Sequence, residues 1–164
     1  VKSSDNSDIT DGRYVQEVAA GSEKVTFTFN APSDAYKCLF WADYVKGTVA
    51  DVATDADNIY NTADLKAISY TANAGSEMFK GDVADAFYAC SLEPVTGNGS
   101  LASITMKRPF TKITFKDGQS AYDEYTKIII KDLPAPTGFN VMTGETAGHA
   151  GKDNYVSISS SELT

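Results

Sequence analysis

Short runs of alternating apolar and polar residues, each closed by turn-forming residues, most narrowly bound what this chain can fold into. The cleanest is Lys24-Val25-Thr26-Phe27-Thr28-Phe29-Asn30, with Val25, Phe27 and Phe29 on one side and Lys24, Thr26, Thr28 and Asn30 on the other. Side chains along a strand point alternately to its two faces. A period of two carried by β-branched and aromatic residues therefore predicts a half-buried strand. Asn30-Ala31-Pro32-Ser33-Asp34 then breaks the chain. Residues 36–46 follow as a longer strand, apolar on both faces around Leu39, Phe40 and Trp41, which suits a central position covered on both sides. Residues 67–71, 86–92, 100–107, 111–116 and 126–131 read as further strands, and residues 138–143 and 154–159 carry a less regular pattern.

The punctuation agrees. Thr96-Gly97-Asn98-Gly99 predicts a tight hairpin turn between two of these runs, because Asn and Gly tolerate positive φ, and Asp117-Gly118 predicts another. Arg108-Pro109 interrupts what is otherwise one run, and proline cannot donate to a ladder, so a bulge, bend or change of sheet is expected there. Helical signals are confined to residues 62–67, with Thr62 or Asn61 as cap. The fold class expected is all-β, a sandwich of two packed sheets with at most one or two short helices.

Composition narrows the function. At 164 residues, 42% hydrophobic and 22% charged, the chain has the make-up of one globular domain. With 14 Lys+Arg against 22 Asp+Glu the net charge is 14 − 22 = −8. Nucleic-acid and anionic-membrane binders need a basic footprint, so neither is expected as a partner. The longest apolar stretches are as short as Ile128-Ile129-Ile130, so no transmembrane segment is expected. Residues 1–12 read as a mobile polar leader and residues 13–164 as a single sandwich domain, or the N-terminal domain of a longer precursor.

Candidates for chemistry are few. His149 is the only histidine and lies among small residues without a nucleophile or carboxylate motif around it, which reads as an exposed loop histidine. Asp51, Asp55, Asp57 and Asn58 alternate in a way that suggests a calcium loop. An EF-hand opening at Asp55, however, wants Gly where Tyr60 stands and Glu where Lys66 stands. A solvated acidic loop is the better reading. Residues 144–151 hold glycines but lack the strand-to-helix setting of a phosphate cradle. No catalytic residue, metal or cofactor is expected, and the chain does not read as an enzyme.

Cys38 and Cys90 fall in two expected strands. They are open to either a disulfide or a pair of buried thiols; the disulfide closes a loop of about 50 residues and contributes roughly 4 kcal/mol in the chain-entropy view. Trp41, between apolar neighbours, reads as core rather than as a sugar-stacking platform.

Five segments in order carry a family resemblance: LFWADYV (from Leu39), YNTADLKAI (from Tyr60), DAFYA (from Asp85), MKRPFTKITF (from Met106) and FNVMTGE (from Phe139), with RYVQEV from Arg13 upstream. The chain resembles the fimbrillin-type pilus subunits and surface lipoproteins of Bacteroidales. The resemblance implies a transthyretin-like or immunoglobulin-like sandwich, export as a lipoprotein precursor, and display on the outer-membrane or extracellular surface in a fimbrium. It also implies assembly with other pilin-like subunits by strand exchange, and makes Arg13, by residue type, a candidate processing site. The expected function is thus that of a structural fimbrial subunit or fimbrillin-like accessory or anchor component. An adhesin or glycan-binding module that touches host proteins or glycans is the alternative.

Overall fold

The structure, a computed structural model, describes residues 1–19, 21–30, 34–43, 60–70, 85–91, 93–96, 101–111, 127–131, 136–148 and 155–159. Eight strands are present among them: β1 (Leu39–Asp43), β2 (Tyr60–Asn61), β3 (Ile68–Tyr70), β4 (Ala86–Cys90), β5 (Lys127–Lys131), β6 (Gly138–Asn140), β7 (Glu145–Ala147) and β8 (Tyr155–Ser159). Every pairing is antiparallel, in three sheets of order β1-β4, β2-β3-β6-β7 and β5-β8. The described residues contain no helix, and the all-β class holds. None of them forms a helix long and apolar enough to cross a membrane.

Alternation explains which side chains meet. In the β1–β4 pair Trp41 lies opposite Tyr88 and Leu39 opposite Cys90, so these four share a face. Tyr60 opposite Tyr70, and Ile68 opposite Phe139, share a face of the four-stranded sheet. The two faces meet. Phe139, 2% exposed, packs edge-on against Tyr88 at 4.6 Å and tilted against Trp41 at 6.1 Å, while Trp41 meets Tyr60 at 5.2 Å. Phe110 closes the cluster, edge-on to Tyr70 at 5.1 Å and stacked on Tyr60 at 6.2 Å. Offset and edge-to-face contacts at these separations add to the apolar area each ring removes from water.

Backbone geometry lets the strands close on this core. A Cβ on Gly138 would stand 2.9 Å from the Ile68 carbonyl, so β6 approaches β3 more closely than any side chain permits. After β6 the Asn140 side chain accepts from the Met142 and Thr143 amides at 2.9 and 3.2 Å. Gly144 then takes φ +72 to re-enter β7.

Two sequence expectations need correction. Residues 24–30 have the cleanest alternation but form no strand. A ladder needs a neighbouring strand, and the described residues place none beside them. Residues 62–67 form turns rather than a helix, because Asn61 and Asp64 accept from the amides two residues on, at 3.1 and 2.8 Å. Side-chain acceptors of this kind compete with helical bonding. Residues 1–12, read as the leader, make several contacts with the rest of the described structure. Ser3 donates to the Ala35 carbonyl at 2.9 Å, Lys37 to the Val1 carbonyl at 2.9 Å, and Asp8 pairs with Lys66 at 2.8 Å.

Elsewhere the runs at 36–46, 67–71, 86–92, 126–131, 138–143 and 154–159 contain β1, β3, β4, β5, β6 and β8. Among the described residues of the 100–107 run only Lys107 is bridged, to Tyr88, and the chain bends at Pro109 and Phe110, where the proline breaks the pattern. Residues 97–100 and 112–120, with the turns expected at Asn98 and Gly118, lie outside the described residues. Phe139→Ala is expected to lower the unfolding free energy by about 3–5 kcal/mol in urea denaturation, because it empties the centre of both sheets.

Candidate functional site

The peptide groups of β1 divide between two neighbours. Cys38 accepts from the Ser91 amide at 2.9 Å on the β4 side, while Lys37 exchanges bonds with Val1 at 2.9 Å on the other side. Antiparallel bonding alternates along a strand. Even-numbered residues of this strand therefore bond toward β4, and Leu39, Trp41 and Asp43 direct their N–H and C=O groups to the outer rim. Consistent with this, Tyr88, opposite Trp41, turns its own peptide groups away to Lys107, with bonds of 2.8 and 2.9 Å. Val1 to Ser3 run antiparallel to residues 35–37 on the outer rim, with Val1 opposite Lys37. From Leu39 onward the rim carries no strand among the described residues.

A second feature is an exposed apolar segment. Tyr14, Val15, Val18 and Phe27 are 47%, 45%, 45% and 39% exposed. Two attachments hold it. The Arg13 guanidinium donates to the Thr62 carbonyl at 2.6 Å and to its hydroxyl at 3.3 Å, and Phe29 packs 4.9 Å from Tyr14 and 6.4 Å from Tyr36. Between them, residues 24–30 make no backbone hydrogen bond among the described residues. Arg13, the candidate processing residue, is thus engaged through its side chain; a protease that takes Arg13 into a specificity pocket must first break both bonds.

The rim ends on a strained carboxylate. Burial pushes the Asp43 carboxyl up, and the Trp41 Nε1–H donated to it at 2.9 Å only partly offsets the loss of water. Burial also pushes the Tyr60 phenol up, helped by the nearby negative charges of Asp43 and Asp85. A carboxyl raised in the folded state binds its proton more tightly there, so ionisation costs stability once pH rises past the ordinary value of 3.8. Asp43→Asn keeps an acceptor for Trp41. It is expected to be more stable than the parent at pH 7, with the advantage lost below pH 3.8, in paired urea titrations.

Cys38 and Cys90 come close but do not bond. Cys90 is opposite Leu39 and Cys38 one residue earlier, so the thiols leave opposite faces of the pair, and both are free. A disulfide needs converging Cβ vectors. Burial raises both thiols, which makes them weak nucleophiles. Titration under denaturing, non-reducing conditions is expected to count two free thiols, and a count of zero would contradict the register.

Trp41 lies in the core as expected, half-buried against Tyr60 and Phe139. His149 and residues 51–58 fall outside the described residues. Among the described residues no three His, Cys, Asp or Glu side chains cluster in a metal-binding arrangement. Sequence reasoning missed the bare rim of β1, because hydrogen-bond parity is set by which strand pairs with which, and no local pattern reports that.

Together these features define an antiparallel all-β protein in which, among the described residues, the outer rim of β1 beyond Lys37 and the strand-patterned residues 24–30 carry no ladder. Residues 3–162 match the profile of a family described as a family of unknown function (DUF6562), and the chain belongs to that family. No curated protein and no solved structure matches it.

Proposed function

We propose that this chain is a structural cell-surface protein, a fimbrial subunit or fimbrillin-like accessory or anchor component that assembles by β-strand exchange. The observation that carries the reading is the pairing of supply with vacancy. Among the described residues, 24–30 are patterned as a strand yet make no backbone hydrogen bond, and the outward peptide groups of Leu39, Trp41 and Asp43 meet no strand. Long bare rims and loose strand-like segments invite association, and proteins that must stay monomeric blunt them. Strand addition draws its affinity from main-chain bonds and its selectivity from alternate side chains, so it needs no reactive group. The family resemblance supports the same reading, with export as a lipoprotein precursor to the outer-membrane surface and other pilin-like subunits as partners.

The adhesin or glycan-binding alternative requires an exposed aromatic cluster beside polar groups. Tyr36 and Tyr60 are buried and Trp41 packs on Tyr60 and Phe139, so the described residues favour it less. The purified full chain is expected to form oligomers that grow with concentration, measured by light scattering after size exclusion and by electron microscopy. A strictly monomeric chain at millimolar concentration that also takes up no strand peptide would contradict the proposal.

A further inference from the structure

We propose that Asp11-Gly12 is a self-modifying site, at which Asp11 isomerises to isoaspartate without an enzyme and the product detaches Arg13 from Thr62. The inference goes beyond the strand-exchange reading and does not depend on it.

The local turn explains why this pair stands here. The Gly12 amide donates to the Ile9 carbonyl at 2.9 Å, which closes residues 9–12 as a β-turn. Asp11 takes φ +55 at the third position while Thr10 keeps a negative φ, the arrangement of a type II turn. That position favours Gly or Asn, because a Cβ there crowds the backbone. The fourth position is tighter still: a Cβ on Gly12 would stand 2.8 Å from the Ile9 carbonyl. The fold thus sets an aspartate in a disfavoured conformation directly before a residue held to glycine.

The same two constraints open a reaction. Asp11, Gly12 and Arg13 are all exposed, and the Asp11 carboxyl makes no hydrogen bond or ion pair among the described residues. Its neighbours differ: Asp5 accepts from the Ser7 amide at 2.9 Å, and Asp8 pairs with Lys66. Glycine has no side chain to obstruct attack by its own amide nitrogen on the preceding carboxyl. In that step the Gly12 nitrogen bonds to Asp11 Cγ, and the amide proton leaves with the carboxyl hydroxyl as water. The product is a succinimide ring, to which water then adds. Opening at the side-chain carbonyl restores aspartate. Opening at the main-chain carbonyl leaves Gly12 joined through Cβ and Cγ, as isoaspartate. The bond from Gly12 to Ile9 must break first, and in an exposed turn that carries strain this opening costs little.

The product acts on Arg13. An isoaspartyl linkage adds one atom to the backbone two residues before Arg13, and turns the former main-chain carbonyl into a free carboxylate. The bonds from Arg13 to Thr62, at 2.6 and 3.3 Å, do not survive that shift. The new carboxylate also competes for the guanidinium, as a charged acceptor set against a neutral carbonyl.

Incubating the folded full chain for weeks at physiological temperature and neutral pH tests the site, with isoaspartate located by peptide mapping and enzymatic methylation. Mapping separates Asp11 from Asn98-Gly99 and Asp117-Gly118, similar pairs outside the described residues. Asp11 is expected to convert within about tenfold of the rate in a free peptide of residues 8–14, because an exposed turn opens readily. Slower conversion, or none, would overturn the site. Asp11→Asn suits the turn and loses ammonia more readily than aspartate loses water, so it is expected to convert faster. An equal or lower rate would count against ring closure at this position. In the chromatographically resolved isoaspartyl form, the Arg13 guanidinium NMR signals are expected to move to free-arginine positions while the Trp41 indole signal stays in place. Unchanged Arg13 signals, or a shift of Trp41 as well, would overturn the release.

Discussion

The contacts of Phe139 hold the rest of the described structure in relation. Its ring touches Tyr88 and Trp41 from one sheet while its own strand pairs with β3 in another. Short strands of two to five residues are individually weak, and a two-stranded ribbon is marginal in water without an apolar face to cover. Stacking the β1–β4 face on the β2-β3-β6-β7 face through aromatic rings supplies that cover. Without Phe139, neither the rim of β1 nor the turn at Thr62 that receives Arg13 has a fixed position.

That dependence explains how one strand can be both anchored and available. The even-numbered peptide groups of β1 bond to β4, and Leu39 and Trp41 plug into the aromatic cluster. Its odd-numbered peptide groups face outward on a backbone that is already rigid. A partner strand meeting such a rim orders only itself, which limits the entropy lost on binding. The negative net charge and the half-buried Asp43 carboxylate work the other way, keeping like-charged segments from settling there.

Much of the scaffold was legible in the sequence, and the reason differs by element. Leu39–Asp43, Ala86–Cys90 and Lys127–Lys131 announce themselves because short apolar, aromatic or β-branched runs coincide with real partners. Tyr60–Asn61 and Glu145–Ala147 are too short to carry a period, and only the tertiary fold recruits them. Residues 24–30 teach the converse: alternation reports a capacity to be half-buried in a sheet, not the presence of a neighbour. The site was less readable still. Its parts are a hydrogen-bond parity on β1, a ladder from Val1 to Ser3 and an arginine that reaches a threonine 49 positions away, all long-range relations. Cys90 lies on β4 and Cys38 just before β1, and their faces depend on a one-residue offset that no spacing in the sequence encodes.

The openness of the β1 rim is tested most directly by amide hydrogen exchange at single-residue resolution in the monomeric chain. The account predicts an odd–even pattern: slow exchange at Phe40 and Ala42, whose amides bond to β4, and fast exchange at Leu39, Trp41 and Asp43. Uniformly slow exchange from Leu39 to Asp43 would mean that a strand already covers the rim, and would contradict the account.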